Sequence, residues 1–463
     1  MSEPALGGFS AEGVERDIYA QIVARNPEHD FEPTLDRVRE VCALLGDPQH
    51  AFKVIHLTGT NGKTSTARMV ESLVRAHGLR TGLFTSPHLS SVRERIQIDG
   101  EPISREAFIA LWNDVIPMID LVDAKSVAAG GPRMSFFEVL TVLAFAAFAD
   151  APVDVCVLEV GMGGTWDATN VADADVAVIG PVALDHERWL GSTLEQIATE
   201  KAGIITPECV VVISEQSQAA DAVLTQAARS ARAVWREGDQ FEVMERYPAV
   251  GGQMATLRTP GGTYEGVFVP LFGAHQAHNA ALALSAVEAL MADGGQPHAL
   301  DGGVVEQGFG SATSPGRLEM VRSSPTIMVD AAHNPHGIDA LADALEESFA
   351  FTRLVGVVAV LEDKDADGIL AGLEPVLDEV VVTQSSSPRS RPAEDLAVVA
   401  RRHFGEDRVV VQADLPTAIE AAVTAAEVDA DMGGGVLVVG SITLVADARI
   451  LLRADAGAAG GRR

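Results

Sequence analysis

A chain of 463 residues exceeds what one hydrophobic core supports, so two or three domains are expected. Apolar residues make up 47% of it, which reads as globular, and 65 acidic against 34 basic residues give a formal charge of −31. That balance argues against nucleic acid or an anionic membrane as partner, and leaves small anionic substrates dependent on local cationic sites.

Cys42, Cys156 and Cys209 are scattered, lack metal-ligand spacing and border or sit in apolar runs, as buried thiols in a reducing compartment would. Met1-Ser2-Glu3-Pro4 lacks the basic and apolar regions of a signal peptide. The most apolar helix, Val139–Ala149, is too short to span a bilayer. A cytoplasmic protein is expected.

Apolar runs alternate with helical stretches, the pattern of an α/β protein. Strands are predicted at 53–58, 81–85, 153–159, 174–179 and 209–214. Ser135-x-x-Glu138 and Ser192-x-x-Glu195 fit the capping box at helix starts. Residues 240–246 and 253–270 alternate around Pro260-Gly261-Gly262, which suggests a small hairpin region, and helices at about 276–292 and 298–308 follow. The chain turns small and polar at Gly310–Pro315, where a domain boundary is placed. A second α/β series follows, with strands at 326–330, 353–360, 379–383, 408–412 and 435–440. Ser385–Pro392 reads as a loop and Ala454–Arg463 as a frayed tail.

The first strand runs into Gly59-Thr60-Asn61-Gly62-Lys63-Thr64-Ser65. Strand, small-residue turn and Gly-Lys-Thr at a helix start describe a phosphate loop: backbone N–H groups cradle phosphate, Lys63 adds charge and a hydroxyl holds Mg²⁺. The full pattern requires a glycine five residues before Gly62, where Leu57 stands, so the loop is a short form.

The second strand ends in Thr85-Ser86-Pro87-His88, a stretch that a plain turn explains equally well. Glu159 closes an apolar strand, where a carboxylate is costly unless it meets a cation or metal, and Gly161-Met162-Gly163-Gly164-Thr165-Trp166-Asp167-Ala168-Thr169-Asn170 follows. This segment fails the dinucleotide fingerprint. Asp185-His186 follows the next strand, and a helix then carries Glu200-Lys201-Ala202-Gly203. Strand ends thus deliver Lys63, Thr64, Ser86, Glu159 and His186. Hard oxygen ligands suit Mg²⁺, and His186 alone reads about equally as ligand or structure. A surface ion pair with Glu200 or Glu195 is the simpler reading of Lys201.

Taken together these motifs resemble folylpolyglutamate synthase/dihydrofolate synthase, within the Mur ligase superfamily. Gly-Thr-Asn-Gly-Lys, Ser-Pro-His-Leu with Glu-Arg-Ile, Glu-Val-Gly-Met-Gly-Gly with Asp-Ala-Thr-Asn, Leu-Asp-His and Glu-Lys-Ala-Gly-Ile follow in order. Pro315-Gly316-Arg317-Leu318-Glu319, Asp330-Ala331-Ala332-His333-Asn334-Pro335, Asp363-Lys364-Asp365 and Gly440-Ser441 continue it, so the resemblance runs from about Leu35 to Arg449.

The resemblance implies a mostly parallel-sheet P-loop ATPase domain over 1–311 and a smaller Rossmann-like glutamate-ligase domain over 312–463. It implies that Thr60, Asn61, Gly62, Lys63 and Thr64 cradle ATP, that Asn279, Arg317 and Asp330 contact the nucleotide, and that Ser86, Glu159 and His186 ligate Mg²⁺. Lys201 matches a lysine that this family carbamylates to hold a second Mg²⁺, and His333 is expected on the glutamate side with a catalytic role. Pro33, Thr34, Leu35 and Asp36, Ser135, Phe136, Phe137 and Glu138, and Trp166, Asp167 and Ala168 correspond to the pteroate site. Trp166 stacks on a pterin or simply packs, and Phe136 and Phe137 carry the same two readings.

The implied reaction is ATP-dependent ligation of L-glutamate to dihydropteroate and to tetrahydrofolates through an acyl phosphate. The enzyme is expected to act as a monomer. A cell-wall Mur ligase is the nearest rival, but only 58 residues precede Gly59, too few for the UDP-substrate domain those enzymes carry. A non-catalytic nucleotide switch is the rival of another class, and it needs no second metal ligand set.

Overall fold

A computed structural model describes residues 10–25, 33–292, 296–428 and 433–460, so the expectations for Met1–Pro4 and for residues 461–463 lie outside the described residues. The chain forms two compact units. The first comprises Met1–Glu242, Leu257–Tyr264 and Asn279–Ser311, and the second Val243–Thr256, Glu265–His278 and Ala312–Arg463.

Helices α1 (Ala11–Val23) and α2 (Asp36–Leu44) open the first unit, followed by β1 (Lys53–Thr58), α3 (Lys63–Ala76), β2 (Thr81–Phe84), β3 (Ile96–Ile98) and β4 (Glu101–Pro102). Then come α4 (Arg105–Ala128), α5 (Phe136–Asp150), β5 (Val155–Glu159), β6 (Val176–Ile179), α6 (Glu187–Leu190), α7 (Leu194–Lys201), β7 (Val210–Ile213), α8 (Gln218–Ala227) and β8 (Ala233–Arg236). The sheet order is β4-β3-β2-β5-β1-β6-β7-β8. Strands β2, β5, β1, β6, β7 and β8 pair in parallel, and β3 and β4 extend the edge antiparallel. The central strands are buried along almost their whole length, so they read as continuous apolar runs rather than as alternation. One core packs α2, α4 and α5 against the sheet, and another packs β6 and β7 with α7 and α8.

Ser135 and Glu138 make the expected capping box at α5. The second predicted box does not form: Thr193 caps α7 by accepting from the Gln196 N–H at 3.3 Å. The hydroxyl one residue later sits where the chain turns into the helix, so Ser192 and Glu195 fall out of register.

Strands β9 (Glu242–Ala249), β10 (Gly252–Arg258) and β11 (Thr263–Val269) form a three-stranded sheet, where the sequence suggested a single hairpin region. Two turns organise it: the predicted Pro260-Gly261-Gly262, and Val250-Gly251, where Gly251 supplies a φ of 81°. Helix α9 (Ala274–Met291) follows. Helix α10 (Gly302–Gly310) starts later than predicted, because Asp301 caps it through the Val304 N–H at 3.1 Å.

The second unit continues with β12 (Glu319–Ser323), β13 (Thr326–Asp330), α11 (Pro335–Ser348), β14 (Arg353–Val358), α12 (Ala366–Leu373), β15 (Glu379–Val382), α13 (Ala393–Phe404), β16 (Val409–Val411), α14 (Leu415–Glu427), β17 (Gly434–Val439) and α15 (Ile442–Gly460). Its sheet order is β12-β13-β17-β14-β15-β16, parallel except for β12. Strand β12 is a partly exposed edge strand of mixed polarity, which is why it lacks the apolar run that marks the others. The expected frayed tail is corrected: α15 runs on to Gly460. Among the described residues no helix is long and apolar enough to cross a membrane.

Candidate active site

In the first unit the carboxyl ends of β1, β2, β5 and β6 gather the polar residues, the crest where parallel sheets take ligands. β1 ends at Thr58, and the loop 59–62 turns into α3 with Gly62 at the helix entry at a φ of 80°. A Cβ at Gly62 would lie 2.7 Å from Asn279 Oδ1, so both backbone sign and close approach require glycine. The same contact places Asn279 of α9, which is buried, against the phosphate loop. Leu57, standing where a full phosphate loop has its first glycine, is a buried strand residue, so at this position the chain is still β1 and the loop begins only after Thr58.

Thr60 fixes the loop from outside: its N–H donates to Pro181 O at 2.8 Å, and its hydroxyl pairs with the carbonyl and N–H of Ala183, both at 3.0 Å. Lys63 Nζ donates to Gly59 O at 3.0 Å and to Thr60 O at 3.2 Å, so its ammonium lies over the loop. Asn61 sits between these anchors, half-buried.

Glu159, 1% exposed at the end of β5, is the hub on the other side. Its Oε1 accepts from Thr64 Oγ1 at 2.8 Å and its Oε2 from the Ser86 N–H at 3.2 Å. Thr64 and Ser86 are thus joined to Glu159 beside the phosphate loop, Thr64 through its hydroxyl and Ser86 through its backbone N–H. Among the described residues no group of three His, Cys, Asp or Glu side chains is poised around one point. His186 caps α6 in a left-handed conformation with its side chain 42% exposed, and its Nε2 lies 4.0 Å from Asp185 Oδ2.

Lys201, at the end of α7, is buried and not the surface ion pair its sequence allowed: its Nζ donates to Gly59 O at 2.7 Å. Burial, reinforced by the neighbouring Lys63 charge, holds its amine well below the usual lysine range. Two lysines thus converge on one carbonyl of the phosphate loop.

The segment after β5 packs onto this lysine. Thr165 donates its N–H and hydroxyl to Glu200 O at 3.0 and 3.2 Å, and Asn170 Nδ2 donates to Thr165 O and Gly203 O, both at 3.1 Å. A Cβ at Gly164 would meet Glu200 O at 2.5 Å. Trp166 is half-buried there, Ala168 is a core residue, and the Asp167 carboxylate is turned inward.

The remaining predicted acceptor residues divide by role. Ser135 and Glu138 are consumed by the capping box, and Glu138 Oε1 also accepts from Arg37 Nε at 3.0 Å. Phe136 lies under the Arg95 guanidinium, 5.0 Å from its ring centre, and meets Tyr19 edge-on at 6.3 Å. Phe137 packs on Phe84 and over Gly161. Pro33 and Asp36 are exposed, Thr34 Oγ1 accepts the Asp36 N–H at 3.2 Å, and Leu35 enters α2 and packs on the core.

The loop from Ser86 to Ile96 shows what Glu-Arg-Ile does. Glu94 accepts the N–H groups of Leu89, Ser90 and Ser91 at 2.9–3.0 Å, and Arg95 Nε donates to His88 Nδ1 at 2.9 Å. His88 therefore carries its proton on Nε2, 3.3 Å from the Tyr19 hydroxyl. Burial pushes His88 down to about 3, with the Arg95 charge adding to it.

In the second unit, Asp330 ends β13 and staples two loops, accepting the N–H groups of Leu318 and Ala332, each at 2.7 Å. Burial raises its carboxyl above the usual range, opposed chiefly by the Arg317 charge. Arg317 Nη1 donates to its neighbour Gly316 O at 3.2 Å. His333 Nδ1–H donates to Ala331 O at 2.9 Å, which fixes its tautomer, and Asn334 caps α11. Sequence reasoning gave no role to His56, although a polar side chain in the apolar strand leading to the phosphate loop was visible.

Comparison with known proteins identifies the family. The Mur ligase middle domain family matches residues 109–287, and the Mur ligase, glutamate ligase domain family matches residues 316–442. The dihydrofolate synthase/folylpolyglutamate synthase of Mycobacterium tuberculosis is 50% identical over 450 residues, spanning 93% of this chain and 92% of the relative. Its counterpart in Escherichia coli is 33% identical over 428 residues, spanning 92% and 93%. The structure of M. tuberculosis folylpolyglutamate synthase complexed with ADP and AMPPCP superposes with a TM-score of 0.90 at 49% identity, covering 96% of this chain and 99% of that one. E. coli FolC in complex with DHPP and ADP gives 0.82 at 30%, covering 97% and 100%. This chain belongs to the dihydrofolate synthase/folylpolyglutamate synthase family of ATP-dependent ligases, built from Mur ligase domains.

Proposed function

We propose that this ligase joins L-glutamate to dihydropteroate and to reduced folates through an acyl phosphate, releasing ADP and phosphate. One observation carries the reading: Lys63, Thr64, Ser86 and Glu159 converge at the crest of the first sheet, with buried Lys201 on the same loop carbonyl as Lys63. A carboxylate is a poor electrophile, so its oxygen first attacks the γ-phosphorus of ATP and ADP leaves. The glutamate amine then attacks the acyl carbon, loses a proton, and phosphate departs. Asn61, Gly62 and the N-terminus of α3 hold phosphate oxygens, and Lys63 offsets charge as the phosphoryl group transfers.

Thr64, Ser86 and Glu159, with His186, would hold Mg²⁺, which neutralises phosphate charge and orients it. The residues fit that ion, being mostly hard oxygen donors around a buried carboxylate. Lys201 has the chemistry a carbamate needs: burial lowers its amine, which favours the neutral, nucleophilic form that adds to CO₂, and the resulting carboxylate would serve a second Mg²⁺. Asn279, Arg317 and Asp330 serve the nucleotide, and His333 the glutamate. Trp166, half-buried on the loop after β5, and Phe136 at the start of α5 are assigned to the aromatic side of the acceptor site.

Synthesis of folylpolyglutamate alone is the second reading, and it is the name of a relative from Lacticaseibacillus casei that is 34% identical over 361 residues. Purified protein assayed with dihydropteroate and with tetrahydrofolate as separate acceptors decides between them. Turnover of both is expected. Turnover of tetrahydrofolate only removes the first activity.

A further inference from the structure

Strand β1 carries two polar side chains on one face, and both reach the segment 161–170 rather than the nucleotide loop. Thr58 Oγ1 donates to Gly163 O at 2.8 Å. His56, two residues earlier and fully buried, has its Nε2 2.8 Å from Thr169 Oγ1, which in turn donates to Asp167 Oδ1 at 2.5 Å. Asp167 Oδ1 also accepts the Thr169 N–H and Oδ2 the Met162 N–H, each at 3.0 Å. The single proton of the Thr169 hydroxyl is committed to the carboxylate, so its oxygen accepts and His56 Nε2–H donates. The relay therefore runs one way, from His56 through Thr169 to Asp167.

Two features set His56 apart from a core residue. Its Nδ1 is buried without a hydrogen-bond partner, a cost that an apolar residue would avoid. Its neighbours along the same strand, Val54, Ile55 and Leu57, are apolar. Asp167 is 4% exposed and takes its donors from within the protein, so it acts from behind the loop. The next residue back, Trp166, is half-buried on that loop, and Thr165 ties the loop to Glu200 beside Lys201.

We propose that His56 is a positioning residue which, through Thr169 and Asp167, holds the Trp166 loop in the geometry that receives the flat aromatic end of the acceptor. Acceptor affinity then depends on an imidazole that does not reach it. This rests on the acceptor reading given above.

The test uses the full chain with His56→Leu and Thr169→Val, which break the relay, and His56→Gln and Thr169→Ser, which keep a donor at each step. The breaking pair should raise KM for dihydropteroate and tetrahydrofolate by about tenfold or more, since small misplacements cost that much. KM for ATP should stay within about twofold and the conserving pair near the unsubstituted protein. Amide exchange at Met162 should quicken in Thr169→Val and not in Thr169→Ser. Equal shifts in the KM values for ATP and acceptor, or equal impairment by Thr169→Ser and Thr169→Val, would overturn the proposal. If the unsubstituted protein turns over neither acceptor, the functional reading falls and the acceptor part of this one with it. Normal turnover with unselective variants sinks this proposal alone.

Discussion

Replacing Glu159 by Gln separates the fold from the chemistry at the centre of the site. The carboxylate is 1% exposed and accepts from Thr64 Oγ1 and the Ser86 N–H. A glutamine can keep both contacts, its carbonyl facing the Ser86 N–H and its amide donating to the Thr64 hydroxyl. Bonds to a charged group contribute about 1.5–3 kcal/mol and neutral ones about 0.5–1.5 kcal/mol, so each bond loses roughly 1 kcal/mol. Removing a buried charge offsets much of that, and the net change in unfolding free energy should stay within about 1–2 kcal/mol. Glu159→Leu instead strands both partners at about 1–3 kcal/mol each. In the proposed site the lost charge would help to hold Mg²⁺, so Glu159→Gln should cut kcat by about 10²–10³ and raise the Mg²⁺ concentration needed for half activity. Acceptor- and glutamate-dependent ADP release, with urea unfolding alongside, reads both. A Glu159→Gln enzyme of normal kcat and unaltered Mg²⁺ dependence would refute the assignment.

Three further outcomes follow from the geometry. Gly62→Ala puts a Cβ at a φ of 80° and 2.7 Å from Asn279 Oδ1. Left-handed backbone alone costs an alanine about 1–2 kcal/mol, so nucleotide binding should weaken by about tenfold or more, and an unaltered affinity by calorimetry would contradict the loop assignment. Lys201 should show a CO₂ mass increment at high bicarbonate that Lys201→Met lacks; full activity without the increment would sink the carbamate. Burial holds His56 and His88 near about 3, against about 6.5 in the unfolded chain. Both stay neutral in the fold, so between those values the unfolded state binds more protons and stability is lost as pH falls. Each contributes up to about 1.4 kcal/mol per pH unit, so His56→Gln should flatten the fall in urea midpoint between pH of about 6.5 and 4.5; an unchanged slope would refute it.

The parallel strands were legible because burial on both faces makes each an uninterrupted apolar run, and β1, β5 and β6 are found where the runs predict them. Edge strands were not: β3, β4, β8 and β12 are short or half-exposed, and their residues carry little of that pattern. Capping chemistry was legible at Ser135 but not at Thr193, since adjacent hydroxyls compete and only the backbone turn decides between them. The sequence grouped Lys63, Thr64, Ser86, Glu159 and His186 because each stands at a strand end or loop-to-helix turn, and hydrogen bonds join Thr64 and Ser86 of that group to Glu159. What the sequence hid is orientation. Asp167 accepts from Thr169 within the protein, Lys201 is buried against Gly59 O rather than in the surface ion pair its sequence allowed, and His56, given no role from the sequence, meets Thr169.

The central claim is that ATP activates the acceptor carboxylate before glutamate attacks it. The direct test is transfer of ¹⁸O from a labelled acceptor carboxylate during a single turnover with ATP and glutamate. The account predicts that each phosphate released carries a single oxygen from the acceptor, and that no label moves when the acceptor or ATP is withheld. Phosphate free of label, or ATP cleavage that proceeds equally without acceptor and glutamate, would contradict it.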